Sequence, residues 1–488
     1  MSRFMKGIIA KIPKKKTCIV LFVIVFLVYV LSSFDVCWFP GEAQDKGFVF
    51  SSNWVEHLHS SEGWTVYYQT EAFFEGRSWL SKDFPPEFSV DSVKIGDYYY
   101  ALAEPVTAGL LLPFYGLGQL LFGTGFLIRS VIVGMIFYTC LSALLVRTIS
   151  LQLNQSQATA NLTALLFSFT TMAFSYSRLL YPQPVVTMLM LLTLVFLFNY
   201  GKRGAQTSLF FAALFYALTV FSFNAFIITA PFFLYFLFKK RFGIQGQKLL
   251  TSGLGFLPCI ALFLVWNYAT TNNFFMTPRQ IVHPSIGFDL FYLTAGSTWL
   301  NLGGVFGSLF SPVGIFFVSP ILFASLISFP AFRSKQKNET ILLASIVVVF
   351  WLFISFMNLG GNVGRDFWVG GWANIARYMY APSTLLIIFA AGIFEKINEK
   401  RNLLGAWIVS LMIIVGILAN LSYGVRHDLM VGLLKDYFST SLLVWPYQLE
   451  PIELGFLTVA TLLGSLAYPI YLSRKKLTWS SEGERTSI

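Results

Sequence analysis

The chain has 488 residues, of which 56% are hydrophobic and 12% charged, far below the roughly 25% charge of a soluble domain. An ordinary water-soluble fold is thereby excluded. The formal net charge of +11 does not signal nucleic acid, because the cations cluster at the ends of apolar runs on one expected face. Four scattered cysteines, Cys18, Cys37, Cys140 and Cys259, have no metal-ligand spacing and imply no disulfide framework.

The first apolar run, Cys18–Phe34, follows Lys11, Lys14, Lys15 and Lys16. No small-x-small cleavage site follows it and many apolar runs come after, so it reads as an uncleaved signal anchor. A helix needs about 20 apolar residues to cross the hydrocarbon core. Lipid admits only helices or a closed barrel, and these runs lack a barrel's alternation. The fold class is an all-α polytopic membrane protein of about 12 spans.

In chain order the expected spans are Cys18–Phe34, Phe126–Leu145, Ala160–Tyr176, Val185–Tyr200, Ser208–Phe221, Ala225–Phe238, Leu249–Trp266, Val313–Phe332, Ile341–Met357, Tyr380–Phe394, Leu403–Leu421 and Leu454–Leu472. Ser208–Phe221 and Ala225–Phe238 are short, and fit either two tight spans or one long bent one. The apolar segment Thr107–Phe122 is left out because Gly109, Pro113, Gly116 and Gly118 make it a poor straight helix. It is expected as a juxtamembrane or re-entrant helix on the outer surface, with a thirteenth span as the alternative.

Charge supports that choice. With the N-terminus in the cytoplasm, the cytoplasmic segments hold 23 of the 34 Lys and Arg, including Lys239-Lys240-Arg241, Arg333/Lys335/Lys337 and Arg474-Lys475-Lys476. Only Glu339, Glu395, Glu399, Glu482 and Glu484 share that side, leaving 18 carboxylates outside. Counting Thr107–Phe122 as a span puts every later basic cluster on the wrong face. The chain is expected to form a single transmembrane domain with both termini cytoplasmic, a first exoplasmic loop at 35–125 and a cytoplasmic tail at 473–488. The other long outer segments are 267–312, 358–379 and 422–453. No nucleotide-binding loop or ATPase cassette is present.

The first outer loop concentrates twelve carboxylates, from Asp35 through Glu104, and a loop this long is uncommon without a function. Within it, Thr65–Gly76 (TVYYQTEAFFEG) spaces Val66, Tyr67, Ala72, Phe73 and Phe74 near a helical period. Gln69, Glu71 and Glu75 are interleaved. That pattern predicts a short interfacial helix ending at Gly76. Asn154, Asn161, Asn338 and Asn420 head glycosylation sequons but fall in cytoplasmic or membrane positions, so they are expected to be unmodified.

A carboxylate followed by a short helix of the form aromatic-x-x-x-Ala-x-x-x-Gly, directly after the first span, resembles the C-type (GT-C) glycosyltransferases. These include protein O-mannosyltransferases and lipid A aminoarabinose transferases. Three further stretches are similar to a prokaryotic branch: DSVKIGDYYYALAEPVTAGLLLPFYGLGQLLFG (Asp91–Gly123), SLFSPVGIFFVSP (Ser308–Pro320) and FWVGGWANIARYMYAPS (Phe367–Ser383). The chain departs from the pattern in lacking the Asp-Glu pair. It also has Glu104-Pro105 where Pro-Gly is usual, and Ile375-Ala376 in place of Gly-Pro before Arg377.

The resemblance implies transfer of a sugar from a polyprenyl-phosphate carrier to a glycan, lipid or protein acceptor outside the cytoplasm, with no metal or other cofactor. Such inverting transfer needs a base for the acceptor hydroxyl and a cation for the leaving phosphate, a role that suits the planar fork of Arg. Glu62 lies nearest the family's base position, and Asp91 matches a characteristic aspartate of the branch, as second base or acceptor ligand. Asp35 and Asp45 are further candidates. Arg377, beside Tyr378 before the tenth span, is expected to bind the lipid phosphate; a cation there runs against the orientation rule. Arg178, in SYSRLLYPQP between two spans, is a second phosphate candidate. His283 and Asp289 are possible acceptor contacts, and Trp368 and Trp372 possible stacking groups. The carboxylates of loop one and Arg377 are expected to share one lipid-accessible chamber. Rival classes are a flippase or transporter of lipid-linked saccharides, and an oligosaccharide ligase or polymerase. Few charges lie inside the spans and no internal repeat is visible, which counts against a transporter.

Overall fold

The computed structural model describes residues 14–33, 61–80, 91–102, 105–239, 246–282, 302–310, 314–356, 377–400 and 402–425. The expected last span Leu454–Leu472, the tail 473–488 and the 422–453 segment beyond Val425 lie outside them. The described chain begins with α1 (Lys14–Ser33) and α2 (Ser61–Phe74). A hairpin follows, β1 (Ser92–Ile95) paired antiparallel with β2 (Tyr98–Ala101) in the register Ile95↔Tyr98. Then come α3 (Pro105–Phe122), α4 (Leu127–Gln152), α5 (Gln157–Thr170), α6 (Gln183–Arg203), α7 (Gln206–Ser222), α8 (Ala230–Lys239) and α9 (Gly246–Thr271). The last described helices are α10 (Leu302–Phe310), α11 (Phe323–Lys335), α12 (Lys337–Phe356), α13 (Tyr380–Ala390), α14 (Gly392–Lys400) and α15 (Leu403–Val425).

Among the described residues, six helices are long and apolar enough to cross a membrane: α3, α4, α6, α9, α15 and the continuous stretch Arg377–Ile397. The bent pair Phe306–Val318 and Pro320–Lys335 passes the same test only when its two arms are taken together, as a broken span or a re-entrant loop. The bend is 104°, so the expected single span Val313–Phe332 is broken at Ser319-Pro320, where proline cannot donate to the ladder. Thr17–Val30, Gln206–Ser222 and Asn224–Leu237 are shorter apolar helices. The last two are separate helices joined by the 3-10 turn Asn224–Thr229.

The apolar surface shows which faces meet lipid. Along α1, Leu21, Val25 and Tyr29 are buried one turn apart, while Ile19, Val20, Val23, Ile24, Leu27 and Val28 stand exposed. On α9, Leu254, Leu257, Leu262 and Val265 are exposed as well. Among the described residues such faces are unsuited to water and fit hydrocarbon. By contrast α6 and Arg377–Ile397 are largely enclosed.

The chain divides into two compact units: one of Met1–Val25, Val146–Ser175 and Thr294–Ile488, the other of Phe26–Leu145 and Tyr176–Leu293. In the first, polar groups tie helix ends together. The Ser156 hydroxyl caps α5, accepting from the Thr159 amide at 3.1 Å. The Glu395 carboxylate of α14 then accepts from Ser156 N at 3.3 Å and from Thr159 Oγ1 at 3.1 Å. A carboxylate at a helix N-terminus is doubly favoured, by the open amides and by the dipole. Gln155 Nε2 donates to the Ile388 carbonyl at 2.8 Å. At the opposite ends, Asn420 Nδ2 of α15 donates to the Val318 carbonyl at 3.0 Å, and Ser175 Oγ donates to the Asn420 carbonyl at 2.8 Å. Each of these contacts joins ends that the charge count puts on one face: residues 155–156 with Ile388 and Glu395 on one side, Ser175, Val318 and Asn420 on the other. Asn420 is fully buried, so its sequon is closed to modification.

In the second unit Thr107–Phe122 forms a helix, as expected, without the break that its glycines and proline suggested. The segment is one continuous helix, α3, that starts at Pro105 and carries Pro113 inside it. It folds back antiparallel on α4. A Cβ at Gly134 would come within 2.8 Å of the Phe114 ring, and one at Gly118 would overlap the Ser130 hydroxyl. Two of the glycines that argued against a helix take neighbouring side chains, Gly118 that of Ser130 on α4 and Gly116 the Phe74 ring of α2. Proline costs one ladder bond and crowds the carbonyl four residues back; that residue is Gly109, whose surroundings are open. In the same turn, the Tyr138 hydroxyl donates to the Leu110 carbonyl. The segment therefore meets the length and hydropathy of a crossing helix.

Glycine packing also joins α7 to α9. A Cβ on Gly255 would lie 2.6 Å from the Phe210 carbonyl oxygen, a backbone atom, whereas Gly253 has open space. Gly255→Ala is expected to lower the melting temperature in detergent through an overpacking cost of about 1–3 kcal/mol. Gly253→Ala, on the same helix, should be neutral or slightly stabilising. Equal melting temperatures for the two variants would contradict this packing.

Candidate functional site

The outer-loop assembly is built on α2. The helix ends as its sequence predicts: Gly76 takes φ 71°, its amide donates to the Phe73 carbonyl at 3.1 Å, and Arg77 N donates to the Ala72 carbonyl at 2.7 Å. Glycine accepts this left-handed turn without a Cβ penalty. After it, Leu80 N donates to the Tyr99 carbonyl at 2.8 Å, bringing the chain onto the hairpin. The hairpin itself turns on Gly96, at φ 62°.

Helix and hairpin share a small core. Leu80 and Ala101 are buried, with Tyr68 of α2 and Tyr99 of β2 packed against them. On the other side, α2 rests on α3 and α9. Phe74 meets Tyr115 at 5.1 Å between ring centroids and lies where a Cβ on Gly116 would be, 3.2 Å from its ring. Phe73 sits edge-on to Trp266 at 5.2 Å. Ser78 Oγ donates to the Ala269 carbonyl at 3.0 Å. The loop segment is thus fixed to two helices at several points.

One carboxylate belongs to this packed face. The Tyr115 hydroxyl donates to Glu71 Oε1 at 3.3 Å, and Tyr67, one turn before Glu71, lies 6.1 Å from the Tyr115 ring. Burial, then the neighbouring Glu75 carboxylate, pushes the Glu71 carboxyl above the ordinary glutamate range; the Tyr115 hydrogen bond and the Arg77 charge only partly oppose this. Burial and the Glu71 charge likewise raise the Tyr67 phenol. Trp64 stacks on Tyr68 at 5.8 Å with planes 23° apart. Arg77 pairs with Glu75 at the exposed end of the helix. Sequence reading took Glu71 only as one of the polar residues interleaved on this helix. Its partner stands 44 residues away, and no local pattern links the two.

The predicted residues fall as follows. Glu62 lies in the first turn of α2. Asp91 is half-buried immediately before β1, and its carbonyl accepts from Leu102 N at 2.9 Å, closing the base of the hairpin. Glu62 and Asp91 are therefore carried by two elements that pack on one another through the shared core. Arg178 belongs to the same unit and is 1% exposed, in the turn between Ala173–Tyr176 and α6, where Leu179 N donates to the Tyr176 carbonyl at 3.2 Å. Its burial is what sequence reading underrated, since an arginine stays charged and a buried charge is costly. Arg377 and Tyr378 belong to the other unit, in the 3-10 turn Arg377–Met379 that leads into α13. Arg377 Nη2 donates to Tyr378 Oη at 3.0 Å, and its guanidinium lies 4.9 Å from the Tyr378 ring centroid. Asp35, Asp45, His283, Asp289, Trp368 and Trp372 lie outside the described residues, as does nearly all of the 358–379 loop. Among the described residues no group of three or more His, Cys, Asp or Glu is placed to hold a metal ion.

The pH response of the Glu71 contact follows from its sign. The folded state binds the Glu71 proton more tightly than the unfolded chain, where glutamate titrates near about 4.3. Its contribution is therefore fully present below that pH and is lost as pH rises through the raised folded value. Glu71→Gln should match the wild-type melting temperature at acid pH and exceed it increasingly as pH rises. A difference that does not change with pH would reject the assignment.

No family model and no curated protein matches the sequence. Solved structures do. The archaeal oligosaccharyltransferase AglB from Archaeoglobus fulgidus, in complex with an inhibitory peptide and a dolichol-phosphate, superposes with a TM-score of 0.51 at 14% identity. That match covers 84% of this chain and 56% of the archaeal protein, so the chain spans little more than half of its length. ArnT from Cupriavidus metallidurans matches at 13% identity in the apo state, with a TM-score of 0.49 over 93% of this chain and 76% of that protein. Bound to undecaprenyl phosphate, ArnT matches at 14% identity with a TM-score of 0.46 over the same shares. At these identities the likeness concerns architecture. The chain has a GT-C-like fold.

Proposed function

We propose that this protein is a membrane glycosyltransferase that takes a sugar from a polyprenyl-phosphate carrier and gives it to a glycan, lipid or protein acceptor outside the cytoplasm. The observation that carries the reading is the GT-C-like fold with a carboxylate-bearing helix and hairpin fixed to its helices. The archaeal protein of like fold was solved with a dolichol-phosphate and a peptide, the two kinds of molecule such a reaction brings together.

In the proposed reaction Glu62 or Asp91 takes the proton of the acceptor hydroxyl. The resulting oxygen attacks the anomeric carbon from the face opposite the carrier, through a transition state of oxocarbenium character. The bond from that carbon to the phosphate oxygen breaks, its electron pair stays with the phosphate, and the anomeric configuration inverts. The leaving polyprenyl phosphate gains charge, which a guanidinium neutralises bidentately. Arg377 is assigned that role, with Tyr378 beneath it holding the plane of the fork. Arg178 is the second cation offered for the same phosphate. The prenyl tail lies in an apolar groove between helices. The step balances without a cofactor or metal.

Transfer of a labelled sugar from a polyprenyl-phosphate donor, measured in membrane vesicles, tests the assignment. Arg377→Ala should lower transfer by about 100-fold or more while the protein still inserts and folds. Either Glu62→Gln or Asp91→Asn should cost about 10²–10⁴-fold. Wild-type transfer by the arginine variant removes the phosphate role, and wild-type transfer by the double carboxylate variant removes both base candidates.

A further inference from the structure

The elbow between α11 and α12 carries a feature that sugar transfer does not use. An open pocket of about 350 Å³ is lined by Phe329, Pro330, Arg333, Ser334 and Lys337. Two of these side chains are cations and two are apolar. Their order along α11 is informative. Leu326, Phe329, Pro330 and Arg333 stand at i, i+3, i+4 and i+7, one face of a helix. Leu326 is 62% exposed and its neighbour Ile327 58% exposed, so an apolar track runs along the helix to a basic mouth. Phe329 is held in place edge-on against Phe389 of α13, at 5.7 Å.

The elbow is firmly built. Gln336 N donates to the Phe332 carbonyl at 2.8 Å, and Thr340 N to the Gln336 carbonyl at 3.0 Å. Lys396 Nζ of α14 donates to the Ile327 carbonyl at 2.6 Å, adding a third cation beside the track. Lys337 opens α12, so the positive end of a 20-residue helix faces the same mouth. Glu339, the acidic residue of that first turn, is buried and does not line the pocket. The elbow joins the eighth and ninth spans expected from sequence, on the face where basic residues concentrate.

From this pocket we infer a binding site for an anionic phospholipid of the inner leaflet. Its phosphate sits between Arg333 and Lys337, with the Ser334 hydroxyl at hand, and an acyl chain follows Phe329, Pro330 and Leu326. Charge complementarity selects an anionic headgroup, and the exposed apolar track selects a molecule with a tail. A soluble phosphate would use only the mouth.

The test is the melting temperature of the full-length protein in lipid nanodiscs. Wild type should melt about 2 °C or more higher with phosphatidylglycerol than with phosphatidylcholine alone. Arg333→Gln with Lys337→Gln should abolish that rise, with unchanged melting in phosphatidylcholine reporting an intact fold. Lys248→Gln with Lys335→Gln removes the same charge outside the pocket and should keep the rise. Equal loss in both double variants would reduce the effect to diffuse surface charge and overturn the site. So would an equal rise from glycerol phosphate added to phosphatidylcholine discs, which would make the ligand a soluble phosphate. If the unmelted fraction of the pocket variant falls even in phosphatidylcholine, co-purified phosphatidylglycerol counted by mass spectrometry decides instead: retention at the wild-type level overturns the proposal, and depletion upholds it.

Discussion

Hydrocarbon offers no hydrogen bonds, and that constraint organises this protein. Every backbone group and polar side chain below the headgroups must find its partner within the chain. The hydroxyls meet it locally: Thr163, Ser168 and Thr170 each donate to a carbonyl four residues back on their own helix. The larger polar groups meet it across helices. Asn420 serves both Val318 and the carbonyl of Gly416, while its own carbonyl receives Ser175. Each such bond fixes the relative height of two helices, so satisfaction of polar atoms and vertical register become one requirement.

The same logic governs close approach. Hydrophobicity cannot drive helices together in lipid, where tails are as apolar as side chains, so packing and hydrogen bonds must. Gly416 lies where a Cβ would meet the Thr170 carbonyl at 3.1 Å, and Gly392 where one would meet the Phe332 ring at 2.6 Å. These contacts set the distance between helices, as Asn420 and Glu395 set their height. A glycine in a membrane helix is thus read by what lies opposite it, which its own sequence neighbourhood does not reveal.

That difference explains what sequence could and could not disclose. Helix positions were legible because the lipid constraint acts on each window of about 20 residues separately, and the short α2 with its Gly76 end was legible because helix caps are local. The bend at Ser319-Pro320 was half-visible, as a Ser-Pro entering a span, but a proline alone does not say whether a helix kinks or breaks. The continuity of Thr107–Phe122 was illegible for the opposite reason: local penalties for Gly109, Pro113, Gly116 and Gly118 were counted without Phe74, Ser130 and the fold-back onto α4. Glu71 was invisible as a buried carboxylate because Tyr115 is distant in sequence. Glu62, Asp91 and Arg377 are candidates drawn from short motifs, and motifs give residue types without distances.

The packing around α2 bears on why the carboxylates stand where they do. An acidic loop left free would hold each carboxylate in a solvated average position, poor for any reaction that needs a base within hydrogen-bond reach of one hydroxyl. Here the segment is pinned along one face and at its C-terminal end: Phe73 on Trp266, Phe74 in the space left by Gly116, Glu71 under Tyr115, and Ser78 on the Ala269 carbonyl. The hairpin is added through Leu80, Ala101, Tyr68 and Tyr99, so Asp91 inherits its place from α2 rather than from the loop around it. Glu71 faces the packed side, held there by the Tyr115 hydroxyl.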